Sequence, residues 1–495
     1  MKKHTILLHP LGKELVVNDM TPLIDVLHEY GVEFPCGGKG TCGKCQVRLI
    51  DGKIEVNEDH RSKLEHFHLP ADRRLACMSN CTASITLQVE QYEHIILADE
   101  TSFDFEPEKG VGIAVDLGTT TLVTQLVDLT TGKVLAVETM LNPQVRFGAD
   151  LISRIQAGLD GRASEMTHLI RTSLGQMIQL MLKNCQQLPG KVVLVGNTVM
   201  QGIFSGNDLT PLSCYPFQVD DPGLSAFTPT ELGWDFLSGT KIQFYPSIGS
   251  FVGSDILAGI AATGLHRKEQ YTALIDLGTN GEIVVGNRDK IICASTAAGP
   301  AFEGSNLSMG MRAVTGAISS IQLVDNKMLS SVIGKTGPKG ICGSALIDAI
   351  AILLQQDLIG IFGEINSGEE SISIHGPIRL TQKDIYEFLL AKAAIAAGIT
   401  ILSKNLDIEP SDIHEIYFAG GFGNYICIKH LLATGMVETT EDKIHKMGNT
   451  ALIGAKMFLF GNGELADNIL GKTSHVNLEA FPEFQDIYVS KMILG

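Results

Sequence analysis

Apolar and polar positions alternate in two short runs near the start of the chain, TILLHP and KELVVN, set on either side of Leu11-Gly12. That period of two predicts a β-hairpin. The next stretch, TPLIDVLHEYG, predicts a short helix with Thr21 as its cap, Pro22 in its first turn and Gly31 at its end. From about Glu93 to Gly110 the pattern changes: EHIILADETSFDFEPEKG is acidic, holds Pro107 and loses its periodicity after the first few positions, which predicts a linker. Beyond it, GVGIAVDLGTTTLVTQLVDLTTGKVLA reads as strand, polar turn, strand, turn and the start of a third strand. Near the middle the chain repeats itself, since YTALIDLGTNGEIVVGNRDKIICAS again runs strand, D-L-G-T, strand, turn, strand. Asp116 and Asp276, the aspartates of the two D-L-G-T turns, lie 160 positions apart, the size of one α/β subdomain, so an internal duplication is the simplest account. The predicted organisation is a small domain over 1–92, a linker over 93–110 and a larger unit over 111–495, its two lobes falling at about 111–268 and 269–495.

Composition narrows the class. A chain of 495 residues exceeds what one core usually fills, and its 44% hydrophobic and 19% charged residues suit a fully globular protein. The net charge of -17 argues against nucleic acid or an anionic membrane as partner, because each needs a basic face. The run ILL near the N-terminus is too short for a signal peptide, and no window holds the ~18 uninterrupted apolar residues of a spanning helix. The expectation is a cytoplasmic protein, in which clustered cysteines serve metal binding or redox chemistry and not disulfides.

The clustered cysteines lie in PCGGKGTCGKCQVRL: Cys36, Cys42 and Cys45, joined 31 intervening residues later by Cys77 in RRLACMSN. Strand, strand, helix and cysteine loop is the entry order of a β-grasp fold, and the spacing resembles a [2Fe-2S] ferredoxin, with three thiolates in a loop and one distant. The first gap is five residues where the plant-type pattern has four, nearer the adrenodoxin-like variant. Gly37, Gly38, Gly40 and Gly43 suit the task, since anionic sulfur needs backbone N–H donors at close range with no Cβ in the way. A zinc knuckle, though structural zinc usually takes two close ligand pairs, or a set of buried free thiols is the competing reading. Cys81 is read as an ordinary buried thiol, and a small buried hydrophobe is the default for Cys185, Cys214, Cys293, Cys342 and Cys427.

In the larger unit the two D-L-G-T turns suit phosphate. Gly118 and Gly278 let backbone N–H groups approach oxygens, Thr119, Thr120 and Thr279 offer hydroxyls beside Asn280, and Asp116 and Asp276 at the strand ends can hold the waters of Mg²⁺. A third piece, EIYFAGGFGNYI, is a strand followed by Gly420, Gly421 and Gly423, where backbone can approach a flat base and ribose; a plain strand-to-helix turn is its alternative. No Walker-type motif is present, and GVGIAV lacks the last glycine of a dinucleotide fingerprint and precedes a strand, so a Rossmann reading fails. The three pieces together resemble the actin, sugar-kinase and heat-shock-chaperone ATPase superfamily, which implies two lobes closing over ATP. Asp276 is then the preferred catalytic base, with Gln144 and Glu282 as water-orienting candidates and a satisfied polar residue as the alternative for Gln144.

A ferredoxin fused to such an ATPase resembles the reductive activators of corrinoid-dependent proteins. NPQVRFGADLISRI, VGNTVM, ASTAAGPAFEG, GMRAVTGAI, GICGSALIDAIA and GNTALIGA agree with that family, and the resemblance covers nearly the whole chain. Longer members carry an extra segment between ferredoxin and ATPase that shrinks here to the linker. The resemblance implies a [2Fe-2S] cluster, ATP and Mg²⁺ as cofactors, a corrinoid protein of a methyltransferase system as client, a low-potential electron donor and a homodimer as an open option. GPAFEGSNLSMGMR, from Gly299 to Arg312, is a candidate docking surface for the corrinoid or else a cleft-lining loop. Activation of another low-potential enzyme, or a small-molecule kinase with a redox-sensing ferredoxin, are the alternatives.

Overall fold

The structure is a computed structural model that describes residues 2–9, 13–27, 30, 32, 34, 36, 38–41, 43, 45–67, 69–89, 103–183, 185–215, 217, 223–278, 280–296, 298–304, 307–313, 316–334, 336–420, 425–461 and 463–495. The N-terminal domain is a five-stranded sheet in the order Lys13–Asn18, Lys3–His9, Ile85–Gln88, Gln46–Asp51, Arg73–Leu75. The first two strands are the expected antiparallel hairpin, and the first and last strands of the domain pair in parallel. Alternation puts Ile6 and Leu8 inside with Val47, Leu75 and Leu87.

The expected helix at Thr21 is shorter. It spans Ile24–Leu27, while Thr21–Pro22 is a two-residue strand paired with Asn80–Cys81. Thr21 does not cap the helix; its hydroxyl donates to Asn18 O. The physical reason is non-local: the pairing with Cys81 and Asn80 holds Thr21 and Pro22 extended, and the helix starts only beyond them. Gly31 lies outside the described residues.

The duplication is written in the topology of the larger unit. Lobe I is built on Val111–Leu117, Thr121–Asp128, Val134–Leu141, Lys191–Val195 and Lys241–Phe244, in the order third, second, first, fourth, fifth, with Ser225–Phe227 at the far edge. Lobe II repeats the same order with Thr272–Leu277, Gly281–Gly286, Ile291–Thr296, Glu415–Ala419 and Ile444–Gly448, with Thr473–His475 at the opposite edge. In both, first, second and third strands are antiparallel, and the first, fourth and fifth are parallel. The helices Ser254–Thr263 and Thr450–Met457 cross so closely that a Cβ on Gly454 would lie 2.1 Å from Ala258 O. They share one core with strand residues of both lobes, among them Val193, Val195, Leu274 and Val284. Gln382–Asn405 is long and apolar, and most of it is buried inside lobe II, as a core helix is.

The second half of the expected linker is docked. Phe103 and Phe105 pack on Phe460, at 5.7 and 4.4 Å between ring centroids, and Glu108 accepts a hydrogen bond from Gly461 N–H at 2.7 Å. Residues 90–102 lie outside the described residues.

Candidate functional site

Three of the four predicted thiols converge. Cys45 is buried in the domain core, its Sγ stands 3.2 Å from Cys77 Sγ, and half-buried Cys36 is close enough to act electrostatically on Cys77. The Cys77 thiol is held below its ordinary value, first by the hydrogen bond from Cys45 and then by the Gly40 N–H, against burial and the presence of Cys36. Gly38, Gly40 and Gly43 all take positive φ, and a Cβ on Gly40 would lie 2.9 Å from Met78 Sδ. Thiols meeting beside backbone N–H donors suit an iron-sulfur cluster. Cys42 and Gly37 lie outside the described residues. Cys81 is buried, its Sγ turned to Ala83 O. The default for the isolated cysteines holds for Cys293 and Cys342 only: Cys214 is exposed, and Cys185 and Cys427 are half-buried.

In the larger unit, the strand ends of both lobes bring carboxylates within electrostatic reach of one another. Asp116 is the penultimate residue of the first strand of lobe I and Asp276 of the first strand of lobe II, and Glu282 sits directly across the hairpin from Asp276. A fourth, Asp255, lies in the first turn of the helix Ser254–Thr263. Each keeps some contact with solvent, as groups at the floor of a cleft do, yet protein surrounds each closely. Burial pushes Asp116 up to about 6, the Asn449 amide working against it. It pushes Asp276 to about 7, with Asp116 adding to the effect, and Asp255 to about 8, with Asp276 and Asp116 adding. Glu282 is driven well above the ordinary range by burial, then by Asp255 and Asp276. Burial is the leading influence on all four, and the negative charges of the others add to it on Asp276, Asp255 and Glu282. Such a set of hard oxygen donors resists ionisation unless a cation joins it, and donors of this kind suit a hard divalent ion.

Around the carboxylates the chain is bare. The first turn is closed by Gly118 N–H to Thr121 O at 3.1 Å, and a Cβ on Gly118 would stand 2.6 Å from that oxygen. The second is closed by Gly278 N–H to Asn280 O at 3.0 Å. Gly420, with φ of +88°, brings its Cα so near Asp276 that a Cβ would lie 2.8 Å from Oδ1. Thr279, Gly421 and Gly423 lie outside the described residues.

Two helix caps serve the first turn in the same way. Asn197 accepts from Met200 N–H and donates Nδ2–H to Thr119 Oγ1 at 2.9 Å; Asn449 accepts from Leu452 N–H and donates to Asp116 Oδ2 at 2.7 Å. Arg154, fully buried, donates to Thr119 O, and Asn142 Nδ2 donates to Gly118 O. For Gln144 this arrangement fits the alternative reading, a satisfied polar residue. Its side chain is fully buried, Nε2 donates to Met166 O at 3.0 Å, and Oε1 accepts from Arg154 at 3.3 Å, so it braces the arginine that braces the loop. Sequence reading missed Asp255, Asn197, Asn449 and Arg154. The asparagines had a signal, since each sits in G-N-T before an apolar helical run.

The segment Gly299 to Arg312 turns partly inward, with Phe302 and Leu307 in the core and Ser308 hydrogen-bonded to Asp384. The ferredoxin rests against lobe I. Asp25 pairs with Arg146 at 3.5 Å, Arg146 also pairs with Glu165, and Val32 lines a small cavity with Thr119, Thr120, Asn142, Arg154 and Arg312.

Residues 7–82 match the family model of the 2Fe-2S iron-sulfur cluster binding domain, 111–268 that of the RACo middle region, and 270–495 that of the C-terminal domain of RACo, the ASKHA domain. The corrinoid activation enzyme RamQ of Eubacterium limosum is 35% identical over an alignment that takes in 98% of each chain. The Co(II) methylated amine-specific corrinoid protein reductase of Methanosarcina barkeri is 27% identical, over 77% of this chain and 76% of that one. A solved structure titled as a reductive activator for corrinoid, iron-sulfur protein superposes with a TM-score of 0.69 at 26% identity, covering 99% of this chain and 98% of the other.

Proposed function

The chain belongs to the RACo family of reductive activators of corrinoid proteins, and on that premise we propose that it uses ATP to return the inactive Co(II) corrinoid of a methyltransferase system to Co(I). The observation that carries the reading is one chain holding a thiol set suited to a [2Fe-2S] cluster and a cleft of carboxylates suited to Mg-ATP, with Asp25 and Arg146 joining the two domains. Cys36, Cys42, Cys45 and Cys77 hold the cluster, which when bound supplies a one-electron carrier. Gly118, Thr119, Thr120, Gly278, Thr279 and Asn280 receive the phosphates, and Gly420, Gly421 and Gly423 the adenosine. Asp116 and Asp276, with Asp255 and Glu282, hold Mg²⁺ and position the attacking water; Asp276 is the preferred base. A low-potential donor recharges the ferredoxin, and clustered thiols given to metal suit the cytoplasm.

ATP is needed because the step is uphill. A plant-type cluster sits at roughly -400 mV. For one electron ~59 mV corresponds to about 1.4 kcal/mol, so a conformational coupling of ~1–3 kcal/mol shifts the balance by roughly 40–130 mV. Thr119 belongs both to the first phosphate turn and to the cavity that Val32 of the ferredoxin lines, so a change at the phosphates reaches the ferredoxin directly.

The test is anaerobic. Purified protein, a Co(II) corrinoid protein, a low-potential reductant and Mg-ATP are mixed and the visible spectrum is followed for Co(I). Reduction should require ATP. Equal reduction without nucleotide would leave a ferredoxin that merely travels with an ATPase.

A further inference from the structure

Three side chains of metal-binding type, none of them given a part in either site, meet in lobe II. Asp348 lies on the helix Gly343–Gln355, Cys427 precedes the helix Ile428–Ala433, and His430 lies within that short helix. A carboxylate oxygen of Asp348, Cys427 Sγ and a ring nitrogen of His430 all lie within 4.8 Å of one another. Cys427 and His430 share a face because they are three residues apart on one helical turn. Although Cys427 occupies the cap position, its side chain makes no capping hydrogen bond. Asp348 is held from behind: its side chain is 3% exposed, Oδ2 accepts Ile321 N–H at 2.8 Å, and Oδ1 faces His430 Nδ1 at 2.7 Å. The other two residues are half-buried, which leaves one side open.

We propose that Asp348, Cys427 and His430 bind one divalent transition metal of borderline softness, Zn²⁺ or Co²⁺ in its place, independently of the cluster and of Mg-ATP. One sulfur, one nitrogen and one oxygen donor are the ligand types of zinc, and three protein ligands leave a fourth position for water. Bond lengths of ~2.0–2.3 Å in a tetrahedron put donor atoms ~3.3–3.7 Å apart, so Sγ closes in slightly and the Asp348–His430 pair opens slightly. The thiol proton leaves as the metal enters, and neutral His430 frees Nδ1 for the metal by carrying its ring hydrogen on Nε2. The Ile321 N–H keeps the carboxylate oriented throughout, the usual service of a group behind a ligand. Bound metal pins the start of the helix Ile428–Ala433 to the helix Gly343–Gln355. It thereby fixes the chain just after the glycines at 420, 421 and 423.

The experiment uses the full-length protein with its cluster loaded, stripped of loose metal, and titrates Zn²⁺ against a chromophoric chelator while cluster absorption is monitored. One tight equivalent per chain is expected, weakened more than ~100-fold by Cys427→Ser or His430→Gln, since losing a ligand exceeds the 10–100-fold cost of losing a group behind one. Cys214→Ser, which removes an exposed thiol elsewhere, should keep it. Co²⁺ should give a thiolate-to-metal charge-transfer band that Cys427→Ser abolishes with cluster absorption unchanged. If Cys427→Ser does not fold, Asp348→Asn, which can still accept from Ile321 N–H, should lose the equivalent instead. No stoichiometric equivalent in the wild type, or one that survives these substitutions, overturns the site.

Discussion

Asn449 Nδ2 donates to Asp116 Oδ2 at 2.7 Å, a hydrogen bond between residues 333 positions apart that ties the cap of a lobe II helix to the strand end of lobe I. The same asparagine accepts from Leu452 N–H. Asn449→Ala therefore removes a helix cap, worth ~1 kcal/mol, and a hydrogen bond to a carboxylate, worth ~1.5–3 kcal/mol. Mg-ATP affinity measured by calorimetry should fall about tenfold or more, and an unchanged affinity would show that the two lobes do not meet the nucleotide through this bond.

Asp276→Asn and Asp255→Asn keep the shape of each carboxylate and remove its charge. Either should lower ATP hydrolysis at least ~100-fold, the scale of a lost general base, and corrinoid reduction with it. Cluster absorption and its bleaching by dithionite should stay as in the wild type, since every predicted cluster ligand precedes residue 78. Wild-type reduction by Asp276→Asn would uncouple ATP from the electron.

The raised carboxyls give a pH dependence with a definite sign. Asp116, Asp276 and Asp255 titrate at about 6, 7 and 8 in the fold against an ordinary 3.8, so above that value the folded chain holds protons the unfolded chain has released. Stability without metal is then lost progressively as pH rises from about 4, and the loss is complete once pH has passed the folded values at about 6, 7 and 8. Mg²⁺ takes the place of those protons, so its shift of the melting temperature should be larger at pH 8 than at pH 6. Equal shifts at both would remove the four carboxylates as the Mg²⁺ site.

Cys77→Ser should lose or badly destabilise the cluster, because Cys77 stands against Cys45 and the Gly40 N–H, whereas Cys81→Ser should keep it. Iron and sulfide near two each per chain, with a reduced-state paramagnetic signal, are the readouts. Zinc without sulfide at these cysteines would end the electron-transfer reading.

A fragment over 103–495 should fold and bind ATP without the ferredoxin. One beginning at 111 loses Phe103 and Phe105 from Phe460 and Glu108 from Gly461, and should melt several degrees lower, since aromatic pairs contribute ~0.5–1.5 kcal/mol each beyond their area. Equal melting temperatures would mean that the docked stretch adds nothing.

Local chemistry was legible in the chain. Both D-L-G-T hairpins, and the glycines that take positive φ beside the cysteines, declare themselves within a dozen residues. What was illegible is what the fold brings from afar. Thr21-Pro22 has the composition of a helix start, and only the distant Asn80–Cys81 makes it a strand. Asp255 has no motif of its own; it becomes a site residue because its helix begins where Gly196 and Asn197 come close, so close that a Cβ on Gly253 would lie 2.2 Å from Gly196 O. Phe103 and Phe105 stand two apart in an acidic stretch and look like noise until Phe460 meets them.

The docking of Phe105 on Phe460 also sets a leash. Val89, the last described residue of the ferredoxin, and Phe103 are 14 positions apart, so backbone geometry alone keeps them within about 50 Å whatever path the chain takes. A partner tethered over so short a span meets its target at an effective concentration in the ~mM range. Contact between the ferredoxin and the ATPase lobes is therefore independent of protein concentration, and dilution slows only the encounter with the corrinoid protein and the electron donor.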